Sequence, residues 1–413
     1  MRIITDIHLH SRYSRACSQA LTLPNIAHAC EKKGIDLVGT ADVTHPAWRK
    51  HIGEELEHLG DGAYALTENR SKTRFLLTTE LSCIYKRGGK TRRLHHVIVF
   101  PNLETVDVLI EALEKRGCNL KADGRPILGL DSEELLRILL EIDEHILLIP
   151  AHAWTPWFAI FGSQSGFDSI EECFGDLSPH IHAIETGLSS DPPMNHLLTA
   201  LDNILLVSNS DAHSLDKLGR EANVFEMEKP SFSEFREIIV SRDQKRFIET
   251  IEFFPEEGKY HTDGHRDCGF FCDPIETKRL KGVCPKCGKG LTIGVLNRVH
   301  ALADRTEDQI PNNAFIPHRY IIPLAELISS IVGVGPSSKK VRTIYDQLLT
   351  SDLSEFSILL DAKRDQLSAY APPEIIEGIL AMREGNVIRK PGYDGEYGVI
   401  SVDIKKESQK TLF

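Results

Sequence analysis

Short apolar runs alternate with amphipathic stretches from residue 1 to about residue 250. Short apolar runs predict strands, whereas apolar positions that recur every three or four residues predict helices. Helices are therefore predicted at Leu23–Lys33, Val106–Arg116 and Ser132–Ile142. The predicted strands are Arg2–Ile7, Leu37–Thr40, Phe75–Leu81, His96–Phe100, Ile146–Ala151, Ile181–Glu185 and Leu205–Ser208. This alternation predicts an α/β fold with a parallel sheet, either open or closed into a barrel.

Histidines and carboxylates follow these strands one after another. The residues at or just after strand ends are His8, His10, Asp42, Glu80, His152, Glu185, Asp211 and His213. In α/β barrels the carboxyl ends of the strands meet at one mouth, where catalytic residues lie. The sequence therefore predicts that these side chains converge.

The spacing of the histidines favours metal binding. His8 and His10 are two residues apart and share one face of a strand, so both rings can reach one ion, and Asp211 and His213 repeat the spacing. Glu80 can bridge two ions, and mixed imidazole and carboxylate ligands suit zinc, manganese or iron. The alternative is a set of hydrogen-bonded histidines around a polar cavity.

The order HxH, Glu, His, DxH resembles the polymerase and histidinol phosphatase (PHP) family of metal-dependent hydrolases over residues 1–255. The resemblance implies a distorted (β/α)7 barrel with two or three divalent ions, such as zinc, manganese or magnesium. It also implies ligand sets and puts His8, Glu80 and Asp211 in the catalytic role. The implied sets are His8, His10, Glu80 and Asp211 for the first ion, Glu80, His96 and His152 for the second, and His213 for a third.

The chain departs from the family after the second strand. The family has T-D-H there, whereas this chain has Thr40, Ala41 and Asp42, with His45 further on. Asp42 remains a candidate ligand and His45 a candidate replacement for the missing histidine. His95 and His96 are adjacent, so one of them points inward, and we choose His96 because it directly precedes an apolar run.

A cluster of cysteines marks a second unit at residues 256–300. The pattern is C-x3-C followed by C-x2-C-G, typical of a structural zinc site. The predicted ligands of this four-cysteine zinc module are Cys268, Cys272, Cys284 and Cys287. Because the module is rich in lysine and arginine, it is a candidate for contact with phosphate backbones, although solubility also explains such charge.

Residues 301–390 are predicted to be mostly helical, followed by a tail at 391–413. The segment Ile331–Val341 resembles a helix-hairpin-helix DNA-binding element, in which Gly333, Gly335 and Lys339 would approach a phosphate. An ordinary interhelical turn is the alternative. The final residues, Gln409–Phe413, have the form Q-x-x-L-F and resemble peptides that dock onto DNA sliding clamps.

The whole order of barrel, zinc module, helical region and P-G-Y-D-G-E-Y-G segment resembles the endonuclease Q family. The resemblance implies a DNA repair endonuclease that recognises uracil, hypoxanthine, xanthine and abasic sites and cuts on the 5′ side of the lesion. The loop after His152 supplies candidate groups for an extruded base. These are the rings of Trp154, Trp157 and Phe158 and the hydroxyls of Ser163 and Ser165. Alternatively, the rings pack the zinc module onto the barrel.

Composition limits the remaining choices. The net charge of −12 argues against nucleic-acid binding, but it counts metal-ligating carboxylates as bare charges and omits the ions. The sequence has no apolar run long enough for a membrane span and no signal-like apolar segment at its start, so we expect a cytoplasmic protein. A PHP-type small-molecule phosphatase and a non-catalytic DNA-binding factor are the competing functions.

Overall fold

A computed structural model describes residues 1–68, 71–311, 315–350 and 352–403. The strands are β1 Arg2–Asp6, β2 Leu37–Gly39, β3 Leu56–Gly60, β4 Ala63–Leu66, β5 Arg74–Arg87, β6 Lys90–Phe100, β7 Ile127–Leu128, β8 Leu147–Pro150, β9 Ala183–Glu185, β10 Leu205–Val207, β11 Ala222–Glu226, β12 Phe247–Glu252, β13 Asp263–His265, β14 Phe270–Cys272, β15 His318–Tyr320, β16 Val387–Lys390 and β17 Val399–Val402. The helices are α1 Leu23–Lys33, α2 Pro46–Glu55, α3 Leu103–Lys115, α4 Ser132–Ile142, α5 Ile170–Phe174, α6 Pro192–Asn195, α7 Phe232–Ser241, α8 Pro274–Arg279, α9 Val295–Leu302, α10 Leu324–Val332, α11 Lys339–Leu349, α12 Glu355–Leu360, α13 Arg364–Leu367 and α14 Pro373–Arg383.

The central sheet is mixed, whereas the sequence predicted a parallel one. Strands β1, β2 and β5 are parallel, but β6 is antiparallel to both β5 and β8, and β11 is antiparallel to β1. Strands β5 and β6 form one long hairpin that turns at Gly88 and Gly89, both at positive φ. A tight turn of this kind joins antiparallel neighbours, because parallel neighbours need a longer crossover.

Individual hydrogen bonds complete the ring of strands where regular strand pairing stops. Strands β9 and β10 pair only with each other. The N–H of Ala153, just after β8, donates to the carbonyl of Glu185 in β9 at 2.9 Å. On the other side, the Asn223 side chain in β11 exchanges hydrogen bonds with the backbone of Ser208 at 2.9 and 2.7 Å. The result is a distorted α/β barrel of the predicted class.

An apolar core fills the barrel. Inward-facing side chains from successive strands, among them Ile3, Leu37, Val97 and Phe225, form one buried cluster. Apolar residues of α7 belong to the same cluster and cover the end of the barrel opposite to the carboxyl ends of β1, β2 and β5. The polar residues at those carboxyl ends therefore lie over a tightly packed apolar floor.

Local signals fix the helix ends. The side chain of Asn102 accepts from the N–H of Thr105 at the start of α3, and that of Asp131 accepts from the N–H of Glu133 at the start of α4. Helix α1 ends at Gly34, whose φ of 83° suits glycine. These caps satisfy backbone groups that helix ends would otherwise leave without partners.

The C-terminal half is connected to the barrel. Strand β15 pairs with β12 in parallel and so extends the barrel sheet past residue 300. Glu355 of α12 is buried and accepts from Lys33 of α1 at 3.0 Å and from the Tyr345 hydroxyl of α11 at 2.7 Å. This ion pair and hydrogen bond hold the helical region against the barrel.

Residues 391–403 are ordered against the rest of the molecule, whereas a tail was predicted from residue 391. Strands β16 and β17 form an antiparallel hairpin, and Tyr393 makes a β-bridge with Thr262. The Asp394 carboxylate accepts from the Thr292 hydroxyl at 2.6 Å. The proposed clamp peptide Gln409–Phe413 lies outside the described residues. Among the helices that the structure describes, none is long and apolar enough to cross a membrane.

Candidate metal centre

Three residues at the mouth of the barrel have unusual backbone conformations. Asp42, His152 and Asp211 have positive φ values of 40°, 31° and 46°, although none is glycine. Such conformations cost about 1–3 kcal/mol each and persist where the surrounding structure imposes them. Here the turn directly after each strand directs a potential ligand toward the barrel axis.

The first ligand group consists of His8, His10 and Asp211. One potential ligand atom from each lies within 4.8 Å of the others. Asp211 Oδ1 is 3.1 Å from His10 Nε2 and 3.7 Å from His8 Nε2. Nε2 of His8 is fully buried and has no hydrogen-bond partner among the described residues. A buried nitrogen in this state fits a metal ion, because leaving it without any partner would be costly.

The second ligand group consists of Glu80, His95 and His152. Glu80 Oε1 lies 2.8 Å from His95 Nδ1 and 3.1 Å from His152 Nε2. The other oxygen of Glu80, Oε2, lies 3.3 Å from His10 Nε2 of the first group. The Glu80 carboxylate therefore joins the two groups, as a ligand shared between two cations would.

His95 lies in this group, so the choice of His96 was wrong. Side chains alternate along a strand, and in the β5–β6 pairing Glu80 is opposite Val97 while Ser82 is opposite His95. His95 therefore shares a face with Val97 and Glu80. His96 points to the other face, where its Nε2 is 2.9 Å from the Ser132 hydroxyl. What decides which histidine faces the centre is therefore the alternation of side chains along β6, not the distance of the histidine from the apolar run.

Carboxylates behind the ligands orient them. Both oxygens of Glu185 lie 3.0 Å from His8 Nδ1, and Oε2 also accepts from the N–H of His152 at 2.8 Å. A carboxylate on the far nitrogen fixes the tautomer of a metal-binding histidine and leaves Nε2 for the ion. The sequence analysis placed Glu185 at a strand end but gave it no role.

Within the described part of the chain, Asp42, His45 and His213 do not form a third ligand group. Asp42 Oδ2 accepts from the N–H and hydroxyl of Ser11, and Oδ1 lies 3.4 Å from His10 Nδ1, so Asp42 supports His10. The His45 ring stacks on Tyr13 with centroids 4.6 Å apart. The His213 ring is 4.5 Å from that of His10, beside the first group.

Burial and charge act in opposite directions on the pKa values at the centre. Burial alone would raise the pKa of Glu80, but His95 and His8 hold it well below its usual value. Likewise, burial disfavours the charged form of His8, yet the carboxylates of Glu185 and Glu80 raise the pKa of His8 well above its ordinary value. Glu80 is thus ionised, and the site favours positive charge beside it, as a cation-binding site should.

A cavity of about 440 Å³ opens above the two groups. His95, His152 and Asp211 lie in its wall, together with the arginines Arg15 and Arg125. Neither arginine was identified from the sequence, because each lies in a loop without a periodic pattern. The cavity gives a ligand access to the metal-binding groups.

The aromatic residues in the loop after His152 occupy two different environments. Trp154 is buried, donates to Asn195 Oδ1 at 2.7 Å and packs against Phe161, so it stabilises the loop. Trp157 is 42% exposed and lines the cavity together with Phe158, whose ring is 4.6 Å from that of His95. Trp154 therefore has a packing role within the barrel, whereas Trp157 and Phe158 remain candidates for contact with a substrate.

The two loop serines differ from expectation. The buried hydroxyl of Ser165 donates to the Arg93 carbonyl and accepts from the N–H of Phe158, both at 3.2 Å. Ser165 thus closes the loop on itself. Ser163 is exposed and does not line the described cavity.

The cysteine module brings together three of the four predicted cysteines and one histidine. His265, Cys268, Cys284 and Cys287 each offer a ligand atom within 4.8 Å of the others. Cys272 lies outside this group, and its Sγ is 3.2 Å from the Thr277 hydroxyl. The four-cysteine prediction therefore needs correction to one histidine and three cysteines.

The sequence contains the signal that would have found His265. H-R-D-C-G at 265–269 matches C-P-K-C-G at 284–288, with a ligand, two residues, a second ligand and a glycine. Gly269 and Gly288 both have positive φ, as the two equivalent turns require. A tetrahedral set of one imidazole and three thiolates is typical of structural zinc.

The predicted hairpin lies between α10 and α11. Gly333 has a φ of 71°, and Gly333, Gly335 and Lys339 are all exposed. A Cβ atom added to either glycine would meet no neighbour within 4 Å, so an external group can approach the backbone there. The Ser338 side chain caps the N-terminus of α11 by accepting from the N–H of Val341.

Comparisons with known proteins give consistent matches. The MJ0043 C-terminal domain family matches residues 323–386, which contain α10 to α14. Protein MJ0043 of Methanocaldococcus jannaschii is 34% identical over 260 residues, or 62% of this chain, and the match spans only 32% of that protein. Protein YqxK of Bacillus subtilis is 30% identical over 414 residues, which are 97% of this chain and 99% of that protein.

Two solved structures share the whole architecture. The crystal structure of the lesion-specific endonuclease PfuEndoQ from Pyrococcus furiosus has a TM-score of 0.87 and 32% identity, covering 100% of both chains. A crystal structure of endonuclease Q with a 27-mer duplex substrate that carries an abasic lesion at the active site has a TM-score of 0.85 and 32% identity. It covers 99% of this chain and 100% of that one.

Proposed function

Since the chain belongs to the endonuclease Q family, we propose that it is a metal-dependent endonuclease that cleaves DNA beside damaged bases. One observation carries the proposal: two ligand groups joined by Glu80 lie beneath an open cavity with exposed Trp157 in its wall. Divalent cations bound there would polarise a phosphodiester and lower the pKa of a water molecule. Zinc, manganese and magnesium are all compatible with the oxygen and nitrogen ligands.

The residues of the chain have distinct tasks in this reaction. His8, His10 and Asp211 would hold one cation and His95 and His152 another, with Glu80 within reach of both groups. Glu185 and Asp42 keep His8 and His10 in the orientation that presents Nε2 to the cation. The apolar floor of the barrel excludes water from beneath the ligands. The electrostatic interactions of these ligands are therefore stronger than they would be in water.

A second cavity, of about 580 Å³, provides room for an extruded base. It shares Thr155, Trp157, Leu188 and Ser189 with the first cavity, and Tyr260 and Tyr397 also line it. Aromatic rings beside the cleavage site can stack on a base that has left the duplex. We assign deaminated bases and abasic sites as the lesions, with cleavage on the 5′ side.

Surfaces away from the centre contribute to DNA binding in this proposal. The exposed backbone at Gly333 and Gly335, with Lys339 beside it, is free to contact a phosphate. The zinc module adds Lys278, Lys281 and Lys289, all exposed or partly exposed. Such contacts fix the register on the duplex and carry no base information. A sliding clamp remains a proposed partner through Gln409–Phe413.

A nicking assay tests the function. Duplexes that carry uracil, hypoxanthine, xanthine or an abasic site in one labelled strand, and an undamaged control, are incubated with the protein and Mn²⁺ or Mg²⁺. We expect nicking of damaged strands only, with a product that ends 5′ to the lesion. Loss of activity in EDTA is the second expected result. Cleavage of a phosphate monoester without nicking of any duplex would favour a small-molecule phosphatase instead.

A further inference from the structure

Arg125 lies in the wall of the first cavity, above the two ligand groups. Its side chain is 26% exposed, and its Nη1 donates to Glu80 Oε2 at 3.2 Å. The structure gives its guanidinium no other hydrogen bond to a described side chain. Arginine carries five N–H donors, so most of them remain available on the cavity side.

The backbone around Arg125 is held rigidly against the site. A Cβ atom on Gly124 would lie 2.2 Å from Asp42 Oδ2 and 2.3 Å from the Ser14 hydroxyl, so only glycine allows this approach. The Asp123 carboxylate accepts from the N–H of Arg125 at 3.1 Å and from that of Arg15 at 3.2 Å. The loop backbone is thus fixed beside the site, and the hydrogen bond to Glu80 holds the Arg125 guanidinium above the two ligand groups.

The charge on Arg125 suits a second anion besides Glu80. Both Glu80 oxygens face the ligand histidines, with Oε2 3.3 Å from His10 Nε2. If cations occupy both groups, the negative charge of Glu80 is shared with them, and the pairing with Arg125 weakens. The guanidinium then faces the cavity, where the substrate enters, and its planar donors match two oxygens of a phosphate.

We propose that Arg125 is a further catalytic residue that binds a non-bridging oxygen of the scissile phosphate. The inference rests on the proposed endonuclease function and adds one contact to it. Bound in this way, Arg125 would stabilise the extra negative charge that the phosphate gains as water attacks it. Arg15 lines the same cavity, but its side chain is 86% exposed, so it is not fixed toward the centre.

The test compares Arg125→Gln, Arg125→Lys and a control, Arg246→Gln. Arg246 pairs with Asp243 and Glu237 near the start of β12, at the opposite end of the barrel. Under single-turnover conditions with saturating enzyme and Mn²⁺, Arg125→Gln should nick a lesion duplex about 100-fold more slowly than wild type. Arg125→Lys should regain part of the rate, and Arg246→Gln should match wild type.

Methylphosphonate linkages identify the contact. Each diastereomer of the scissile linkage lacks one non-bridging oxygen. For one diastereomer, Arg125→Gln should cause no loss beyond that of the substrate change, because the contact is already gone. For the other, the full loss should remain. Equal, full losses on both diastereomers would overturn the proposal.

Two readouts do not depend on nicking. Calorimetric titration of the metal-loaded protein with inorganic phosphate should show at least tenfold weaker binding for Arg125→Gln and no change for Arg246→Gln. Metal content should be unchanged. If metal content falls and excess Mn²⁺ restores the rate, Arg125 acts through Glu80 and the proposal is wrong. If wild type nicks no duplex, the proposed function fails, and the phosphate titration alone decides the role of Arg125.

Discussion

The molecule holds two ligand clusters that are built in opposite ways. The centre in the barrel draws its six ligands from residues 8 to 211, on or after five different strands. The cluster in the cysteine module draws on residues 265 to 287, on two short turns of the same form. The first is assembled by the fold of the barrel, whereas we expect the short module to depend on a bound ion for its folding.

The difference also appears in chemistry and access. Imidazoles and carboxylates beneath an open cavity leave room for substrate beside the ions. Three thiolates and one imidazole complete a tetrahedral set and leave no open position. The position in the fold and the ligand type therefore indicate a catalytic role for the barrel site and a structural role for the site in the module. Substitutions in the two clusters should therefore have different effects on activity, metal content and DNA binding.

Loss of a carboxylate ligand in the barrel should have the largest effect. Asp211→Asn should lower single-turnover nicking of a lesion duplex by about 1,000-fold or more, because the first cation loses its anionic ligand. The module should keep its zinc, because its ligands lie elsewhere in the chain. Nicking at the wild-type rate would remove Asp211 from the reaction.

The second effect separates two adjacent histidines. His95→Gln should slow nicking by about 10- to 100-fold and lower the bound manganese, because a ligand is lost. His96→Gln, which changes the other face of the same strand, should keep both the manganese and most of the rate. Manganese content and single-turnover rate are measured on both variants, and the reverse ranking would mean that His96 is the ligand.

Changes in the module should affect binding more than chemistry. Cys284→Ser should release the zinc and weaken affinity for duplex DNA by about tenfold, since the module no longer folds. Cys272→Ser is the matched control and should retain zinc. Zinc analysis and fluorescence anisotropy supply the measurements. Zinc loss from Cys272→Ser with retention in a His265→Ala variant would restore the four-cysteine assignment.

The smallest effect concerns a buried carboxyl group away from the metal-binding groups. Glu252 is fully buried, and burial, with Asp191 nearby, raises its pKa to about 8. The contribution of Glu252 to stability is fully present below the unfolded pKa of about 4.3. It is lost as the pH rises through the folded pKa of about 8. Glu252→Gln should therefore raise the free energy of unfolding at pH 9 by about 1–2 kcal/mol relative to wild type, with a smaller gain at pH 6.

Denaturant unfolding at the two pH values checks this expectation. The contrast with Glu80 is informative, because both carboxyl groups are fully buried in the same barrel. Histidines lower the pKa of Glu80, whereas burial and the nearby Asp191 raise the pKa of Glu252. An equal gain at both pH values would show that the Glu252 proton has no part in stability.

Sequence analysis found those features that short-range patterns encode. His8, His10, Glu80 and Asp211 were predicted because each lies at or just after the end of an apolar run, which is a local signal, although Glu80 lies in the middle of β5 in the structure. His95 was missed because the choice depended on which face of β6 is inward, which only the pairing with β5 reveals. Arg125 was missed because its loop has no periodicity and its meeting with Glu80 joins residues 45 positions apart.

The module shows the converse case. His265 could have been found from sequence, since its turn repeats the turn of Cys284 residue for residue. A pattern restricted to cysteines does not include this histidine. The mixed direction of the sheet was also missed. The charged residues near the β5–β6 turn break the apolar pattern of a strand, although backbone pairing continues through them.

Anomalous diffraction from crystals grown with Mn²⁺ tests the central assignment most directly. We expect manganese peaks between His8, His10 and Asp211 and between Glu80, His95 and His152, close enough for Glu80 to contact both. A zinc-edge peak should lie among His265, Cys268, Cys284 and Cys287. Absence of manganese from the barrel mouth, with the protein still nicking lesion DNA, would contradict the account.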